Sequence, residues 1–79
     1  MPTIVSEEGF GVRIYTCDHA PPHVHVAKAG AVVKIDLTTH EAVKVVGNIS
    51  ERDVKRALLL VARHSELLNR EWRRLHGDG

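Results

Sequence analysis

The chain has little of several things that other classes of protein need. It contains one cysteine, Cys17, in 79 residues, which excludes an internal disulfide and a zinc site made of four thiolates. No apolar run approaches the ~20 residues that cross a bilayer. The first residues lack a basic segment followed by an apolar core, so they do not predict a signal peptide. These absences favour a protein of the reducing cytoplasm.

Aromatic residues and net charge are also scarce. Phe10, Tyr15 and Trp72 make up an aromatic fraction of 4%, so the predicted core is aliphatic. The formal net charge is +1, which does not by itself indicate a nucleic-acid or membrane partner. Arg and Lys residues are concentrated after Ser50, and we interpret them as the solvated face of a helix. The short length predicts one domain, residues 1–79.

Four segments predict the strands of a small antiparallel β-meander. Each alternates apolar and polar residues or is rich in β-branched residues, and turn-forming residues separate them. The short connections favour pairing between neighbours in the chain. The predicted strands lie within residues 11–46 and are Val12–Thr16, His23–Lys28, Ala31–Leu37 and Ala42–Val46.

A helical segment is predicted from residue 50 to residue 75. Ser50 occupies the N-cap position, and Asp53 follows three residues later as in a capping box. Apolar residues then recur at steps of three and four, with Ser65 as the polar interruption. This pattern predicts one long helix or two helices with a bend near His64. Strands followed by a helix predict an α+β fold in which the helix covers one face of the sheet.

Side-chain alternation predicts which residues lie on each face of the sheet. Successive residues of a strand point to opposite sides, so His23 and His25 point away from the helix if Val24 and Val26 contact it. The predicted helix face continues with Val33, Ile35, Leu37, Val43 and Val45. The predicted open face gathers His23, His25, Lys34, Asp36 and Lys44, and we assign Arg13 and Tyr15 to the same binding face.

The segment Asp18–Val26, with sequence DHAPPHVHV, holds three of the six histidines behind two consecutive prolines. His23 and His25 are two positions apart in a predicted strand, so their Cα atoms would be about 6.5–7 Å apart and both rings could bind one ion. His19 or Asp18 could supply a third ligand. Three protein ligands and an open position form the arrangement of catalytic zinc. The cofactor that fits this prediction is a divalent metal such as zinc.

Two other interpretations of the histidines stay open. They could be exposed residues with a structural role, with Asp18 or His19 capping the turn. They could also act without metal in a ribonuclease, in which His23 and His25 transfer protons and Lys34 binds the phosphate.

The predicted helix is apolar over a wide arc, which indicates burial on two sides. Leu68 and Trp72 lie on its main apolar stripe. We predict that Trp72 is a core residue or the anchor of an interface, since aromatic anchors are common there. The second alternative implies a homodimer or a complex with another protein.

Several segments together carry a resemblance to a known family: Met1–Ile4, Arg13–Tyr15, Asp18–Val26, Lys34–Leu37 and the helix ending near Trp72. In these segments the chain resembles the family of small bacterial proteins catalogued as domain of unknown function 4160. Members are typically encoded next to another small protein, and the pair is suspected to act like a toxin–antitoxin module. The resemblance implies a binding module that contacts a nearby-encoded partner protein, with RNA or DNA as a further target. The alternative is a small enzyme, a ribonuclease or a metal-dependent hydrolase, that uses His19, His23 and His25.

Overall fold

The computed structural model describes residues 3–15 and 18–77. Its strands form one antiparallel sheet in the order of the chain, and two helices follow. This confirms an α+β meander with C-terminal helices, with one strand more than predicted. The elements are β1 (Thr3–Glu7), β2 (Phe10–Arg13), β3 (His23–Lys28), β4 (Ala31–Asp36), β5 (Ala42–Val46), α1 (Glu51–Arg63) and α2 (Ser65–His76).

The additional strand is β1, which pairs with β2 and contributes Val5 to the core. The loop between them is Glu8–Gly9, where both residues have positive φ, 51° and 82°. Such a two-residue loop fits the twist of a hairpin. The predicted first strand, Val12–Thr16, is therefore displaced, because β2 ends at Arg13. Thr16 and Cys17 lie outside the described residues.

The helical segment is divided into two helices at His64. Ser50 caps α1, since its hydroxyl accepts a hydrogen bond from the Asp53 backbone N–H at 3.1 Å. At the bend, Nε2 of His64 lies 3.2 Å from Oε1 of Glu7, which links the helices to β1. Of the two predicted alternatives, the bent one is confirmed. No helix in the described part of the chain is long and apolar enough to span a membrane.

The helices cover the face of the sheet that alternation predicted. Val24 and Val26 of β3 are buried, as are Val33 and Ile35 of β4. Residues of both helices complete this core. The apolar side chains are thus removed from water, which is the main favourable term in folding. The buried helix residues are Ala57, Leu60, Val61, Leu68 and Trp72.

The prediction that Val43 and Val45 enter the core is wrong. Val43 is 55% exposed and Val45 is 46% exposed. The pairing of β4 with β5 is irregular between Lys34 and Ile35, and an irregularity of this kind interrupts the alternation of faces. Val43 consequently borders the cleft on the open face. Val45 lies opposite Val33, but β5 is the last strand of the sheet, and α1 packs mainly on β4.

Candidate metal centre

Asp18 is held in place by two hydrogen bonds with Tyr15. Its backbone N–H donates to the carbonyl oxygen of Tyr15 at 3.1 Å, and the Tyr15 N–H donates to Oδ2 of Asp18 at 3.1 Å. Burial alone would raise the pKa of Asp18. The Tyr15 hydrogen bond and the nearby His23 and His25 outweigh burial and keep that pKa below its ordinary value. The group is therefore a carboxylate at neutral pH, with only 13% of its side chain exposed.

A backbone carbonyl orients the ring of His23 toward Asp18. Its Nδ1 lies 2.9 Å from the carbonyl oxygen of Pro21, which can only accept a hydrogen bond, so Nδ1 carries the proton. In the neutral ring Nε2 then has a free lone pair, and it lies 3.4 Å from Oδ2 of Asp18. A backbone carbonyl that fixes the tautomer in this way is the usual second partner of a metal-binding histidine.

His23 is more enclosed than an open-face residue should be, with 5% of the residue exposed. The ring of Trp72 in α2 lies 5.3 Å from its ring, centroid to centroid. His76 stacks on Trp72 at 3.9 Å and places its Nε2 3.1 Å from the carbonyl oxygen of Tyr15. Because His23 is the first residue of β3, α2 reaches it at the end of the sheet. His23 thus borders the open-face cleft with His25, on the face that alternation predicts, but it also packs against α2.

His25 lies between the rings of Tyr15 and His23, at centroid distances of 4.8 and 5.1 Å. Its Nε2 atom is buried and makes no hydrogen bond. Oδ2 of Asp18 is 3.3 Å from this atom but outside hydrogen-bond geometry. Burial lowers the pKa of His25, and the opposing effect of the Asp18 carboxylate does not restore it. The ring is therefore neutral at pH 7.

The three side chains Asp18, His23 and His25 converge, with ligand atoms within 4.8 Å of one another. We call them the Asp18/His23/His25 cluster. Two ligands on a tetrahedral zinc, each about 2.0–2.1 Å from the metal, are about 3.3 Å apart. The two Nε2–Oδ2 distances, 3.4 and 3.3 Å, have this value. Direct charge-assisted hydrogen bonds are shorter, about 2.7–2.9 Å. Two of the three spacings thus match those of ligands on a common ion, and all three ligand atoms lie within 4.8 Å of one another.

The cluster borders a cleft of about 450 Å³ on the open face of the sheet. His19 lines this cleft but is exposed and is not one of the three converging residues. Lys34 and Asp36 lie on its other side. Oδ1 of Asp36 accepts from the N–H groups of Thr39 and Thr38 at 2.9 and 2.6 Å, and these bonds lower the pKa of Asp36. That carboxylate therefore stabilises the turn before β5.

The structure brings the other predicted open-face residues close to the cluster. Arg13 is opposite His25 in the β2–β3 ladder, and Lys44 is opposite Lys34 in the β4–β5 ladder. Tyr15 packs edge-on against His25. Leu68 and Trp72, predicted as interface residues, are buried within this chain.

Sequence reasoning missed two contributions to the site, the Pro21 carbonyl and the His76 ring. The spacing of Pro21 and His23 is the signal that could have found the first. The second has a weaker signal, since His76 is four residues after Trp72 and its Nδ1 bonds to the Trp72 carbonyl at 3.1 Å.

These features define a small α+β protein with a two-histidine, one-carboxylate cluster on the open face of a five-stranded meander. The model of the family called domain of unknown function 4160 matches residues 9–73, which is most of the chain. The chain belongs to this family, as the resemblance predicted. No curated protein and no solved structure matches it significantly.

Proposed function

We propose that the protein is a metal-dependent hydrolase that binds zinc at the Asp18/His23/His25 cluster. The observation that supports this is the buried Nε2 of His25, which has no hydrogen-bond partner and lies beside a carboxylate and a second imidazole. An unpaired buried polar atom costs about 1–3 kcal/mol, and a metal ion would remove that cost. Three protein ligands beside an open cleft leave a coordination position for water or substrate.

The chemistry would divide between the ion and the cleft residues. When bound, zinc would lower the pKa of a coordinated water to about 7. Lys34 borders the cleft and would neutralise an anionic substrate group. His19, at the cleft edge, is placed to give a proton to the leaving group. The overall reaction consumes one water, whose hydroxyl joins the attacked centre while its remaining proton replaces the one that His19 gives to the leaving oxygen.

Calorimetric titration of chelator-treated protein tests the metal site. We expect one zinc per chain. The affinity should fall by about a hundredfold or more in Asp18→Asn and His25→Ala, since each removes a ligand. His40→Asn is the matched control, because His40 is an exposed histidine outside the cluster and Asn tolerates its φ of 60°. Zinc affinity that is unchanged in both ligand variants would refute the site. Iron(II) is titrated in parallel, because the same ligand set also binds non-haem iron.

The hydrolase activity needs a separate assay. Zinc-loaded protein is incubated with bis(p-nitrophenyl) phosphate and, in parallel, with p-nitrophenyl acetate. We expect turnover of at least one ester, which His25→Ala abolishes and His40→Asn retains. No turnover of either ester by loaded wild-type protein, or equal turnover by His25→Ala, contradicts the hydrolase proposal.

A second candidate function is contact with a partner protein, and the exposed edge strand β5 favours it. Val43, Val45 and Val46 are all exposed there, and no strand pairs with the outer edge of β5 within the described residues. Such an apolar edge is a common place for strand addition by another chain. The nearby-encoded partner and the toxin–antitoxin-like pair expected from the family resemblance belong to this proposal.

Co-expression with the product of the neighbouring gene tests it. We expect a stable complex that Val45→Lys disrupts. Leu59→Lys is the control, since Leu59 is an exposed apolar residue on α1. Failure of the two proteins to co-purify, or equal disruption by both variants, argues against β5. Light scattering of the isolated chain shows whether a second copy occupies the same edge.

A further inference from the structure

A row of basic side chains crosses the open face of the sheet in register. Arg13 of β2 is opposite His25 of β3, His25 is opposite Lys34 of β4, and Lys34 is opposite Lys44 of β5. We call Arg13, Lys34 and Lys44 the cation row. Neighbouring strands are about 4.8 Å apart, so the row extends about 14 Å across the sheet. His25, one of the proposed metal ligands, lies within it.

The cation row has no internal counter-charge. Among the described residues, 3–15 and 18–77, none of its three side chains lies within salt-bridge distance of a carboxylate. Arg13 makes a single side-chain hydrogen bond, to Oγ1 of Thr3 at 3.4 Å. Four basic residues of the helices, Arg52, Lys55, Arg70 and Arg73, also lack an ion pair within the described part of the chain, whereas four others form one. These others are Lys28, Arg56, Arg63 and Arg74.

Lys34 and Lys44 are moreover a directly opposed pair of like charges, an arrangement that destabilises a sheet. The carboxylate of Asp36 on the same face is engaged by the backbone of Thr38 and Thr39. The open face therefore carries three cationic side chains against the two carboxylates of Asp18 and Asp36. The small excess of positive charge is complemented by a ligand with negative groups.

We propose that the open face binds single-stranded nucleic acid, with the cation row holding consecutive phosphates and the cleft admitting one phosphodiester to the Asp18/His23/His25 cluster. Arg13 and Lys34 are two strand separations apart and Lys34 and Lys44 are one, so the three cations can contact several phosphates along one strand. A mononucleotide is too short to reach all three cations. The identity of the substrate rests on the proposed hydrolase function, whereas binding of the strand does not.

Enclosure of the cluster favours a single strand over a duplex. Only 13% of the Asp18 side chain and 22% of the His25 side chain are exposed, so a phosphate must enter the cleft to reach them. A strand free of its complement can bend into the cleft more easily than a paired one. We therefore expect the open face to bind a flexible strand through its charged backbone, independently of base sequence.

Fluorescence anisotropy with labelled oligouridylate and oligodeoxythymidylate of about ten nucleotides tests the inference. We expect both to bind, and the Lys34→Gln/Lys44→Gln double variant to bind about tenfold more weakly. Removing two phosphate contacts should also reduce the slope of log K against log salt by about 1.4. The matched control is Lys55→Gln/Arg70→Gln, which removes two exposed charges from the helices and should change affinity by less than about twofold.

Comparison of the RNA and the DNA oligonucleotide shows which kind of single strand the open face prefers. Equal binding supports recognition of phosphate alone, and tighter binding of the RNA supports an additional contact to the 2′-hydroxyl. Tighter binding of a blunt duplex than of either strand would overturn the inference. Equal weakening by the open-face and helix double variants would overturn it as well.

Zinc titration of the same variants separates this inference from the hydrolase proposal. Lys34→Gln/Lys44→Gln keeps all three proposed ligands and should bind zinc like the wild type. Chelator-treated wild-type protein should still bind the oligonucleotides, because the cation row contains no metal. Strand binding without zinc binding rejects only the metal centre. Zinc binding without strand binding rejects only the open-face inference. Far-UV circular dichroism confirms that each variant is folded.

Discussion

The two faces of the sheet are made from alternate residues of the same strands, yet they have opposite properties. On the helix face of β4, Val33 and Ile35 are fully buried, whereas on the open face Lys34 and Asp36 remain accessible. The helix face is apolar and buried under the two helices, as a stable core requires. The open face contains a like-charge pair and an unpaired buried nitrogen. Features that reduce stability without a structural return are typical of sites that bind something.

The largest predicted difference between the two faces is in the free energy of unfolding of Ile35→Ala and of Lys34→Ala. Ile35 is fully buried, so removing three carbon atoms leaves a cavity and should lower the free energy of unfolding by about 3 kcal/mol. Lys34→Ala, one residue away on the other face, should change it by less than about 0.5 kcal/mol. Urea denaturation measures both. A similar loss in the two variants would mean that the faces do not differ as described.

Zinc should stabilise the fold by binding to the Asp18/His23/His25 cluster on the open face. At a free zinc concentration of about a hundred times Kd, the free energy of unfolding should rise by about 2.7 kcal/mol. The rise should be absent in His25→Ala and present in His40→Asn. Thermal unfolding with and without zinc measures it, and an equal rise in His25→Ala would show that the ion binds elsewhere.

Asp36 provides a pH-dependent contribution from the open face. Its pKa is lowered by the hydrogen bonds from Thr39 and Thr38, so it stabilises the fold while ionised and this contribution is lost as the pH falls below about 4. Asp36→Asn should therefore cost about 1 kcal/mol at pH 7. The difference from wild type should shrink in acid. Urea denaturation from pH 7 to pH 3 checks the trend, which would be contradicted by a difference independent of pH.

The smallest expected effect comes from the opposed lysines. Lys44→Gln removes the repulsion with Lys34 and should raise the free energy of unfolding by about 0.3 kcal/mol at low ionic strength. Salt of about 1 M should remove this gain by screening. Lys55→Gln, on α1, is the control. A stabilisation that persists in high salt would assign the effect to packing instead.

Local signals predicted most of the fold. Residues of β3 to β5 and the capped start of α1 at Ser50 have patterns that depend on near neighbours only. The hairpin of β1 was missed because Glu8 replaces the Asn or Asp that usually marks such a loop. Val43 was assigned to the wrong face because an irregular register cannot be seen in a single strand.

The candidate site, like the fold, could be predicted only in part from the sequence. The sequence brings Asp18, His23 and His25 within eight positions, so their proximity could be predicted. Local spacing could not decide between Asp18 and His19 as the third group. The decision depends on the hydrogen bonds between Asp18 and Tyr15. The burial of His23 under Trp72 depends on a contact between residues far apart in the chain.

The order of the strands also bears on how the molecule assembles. Every strand pairs with its neighbour in the sequence, and short loop closures of this kind favour rapid folding. The turn and strand that carry the three proposed ligands can thus form within the first half of the chain. We expect Trp72 to pack against His23 late in folding, after the sheet that carries these ligands has formed.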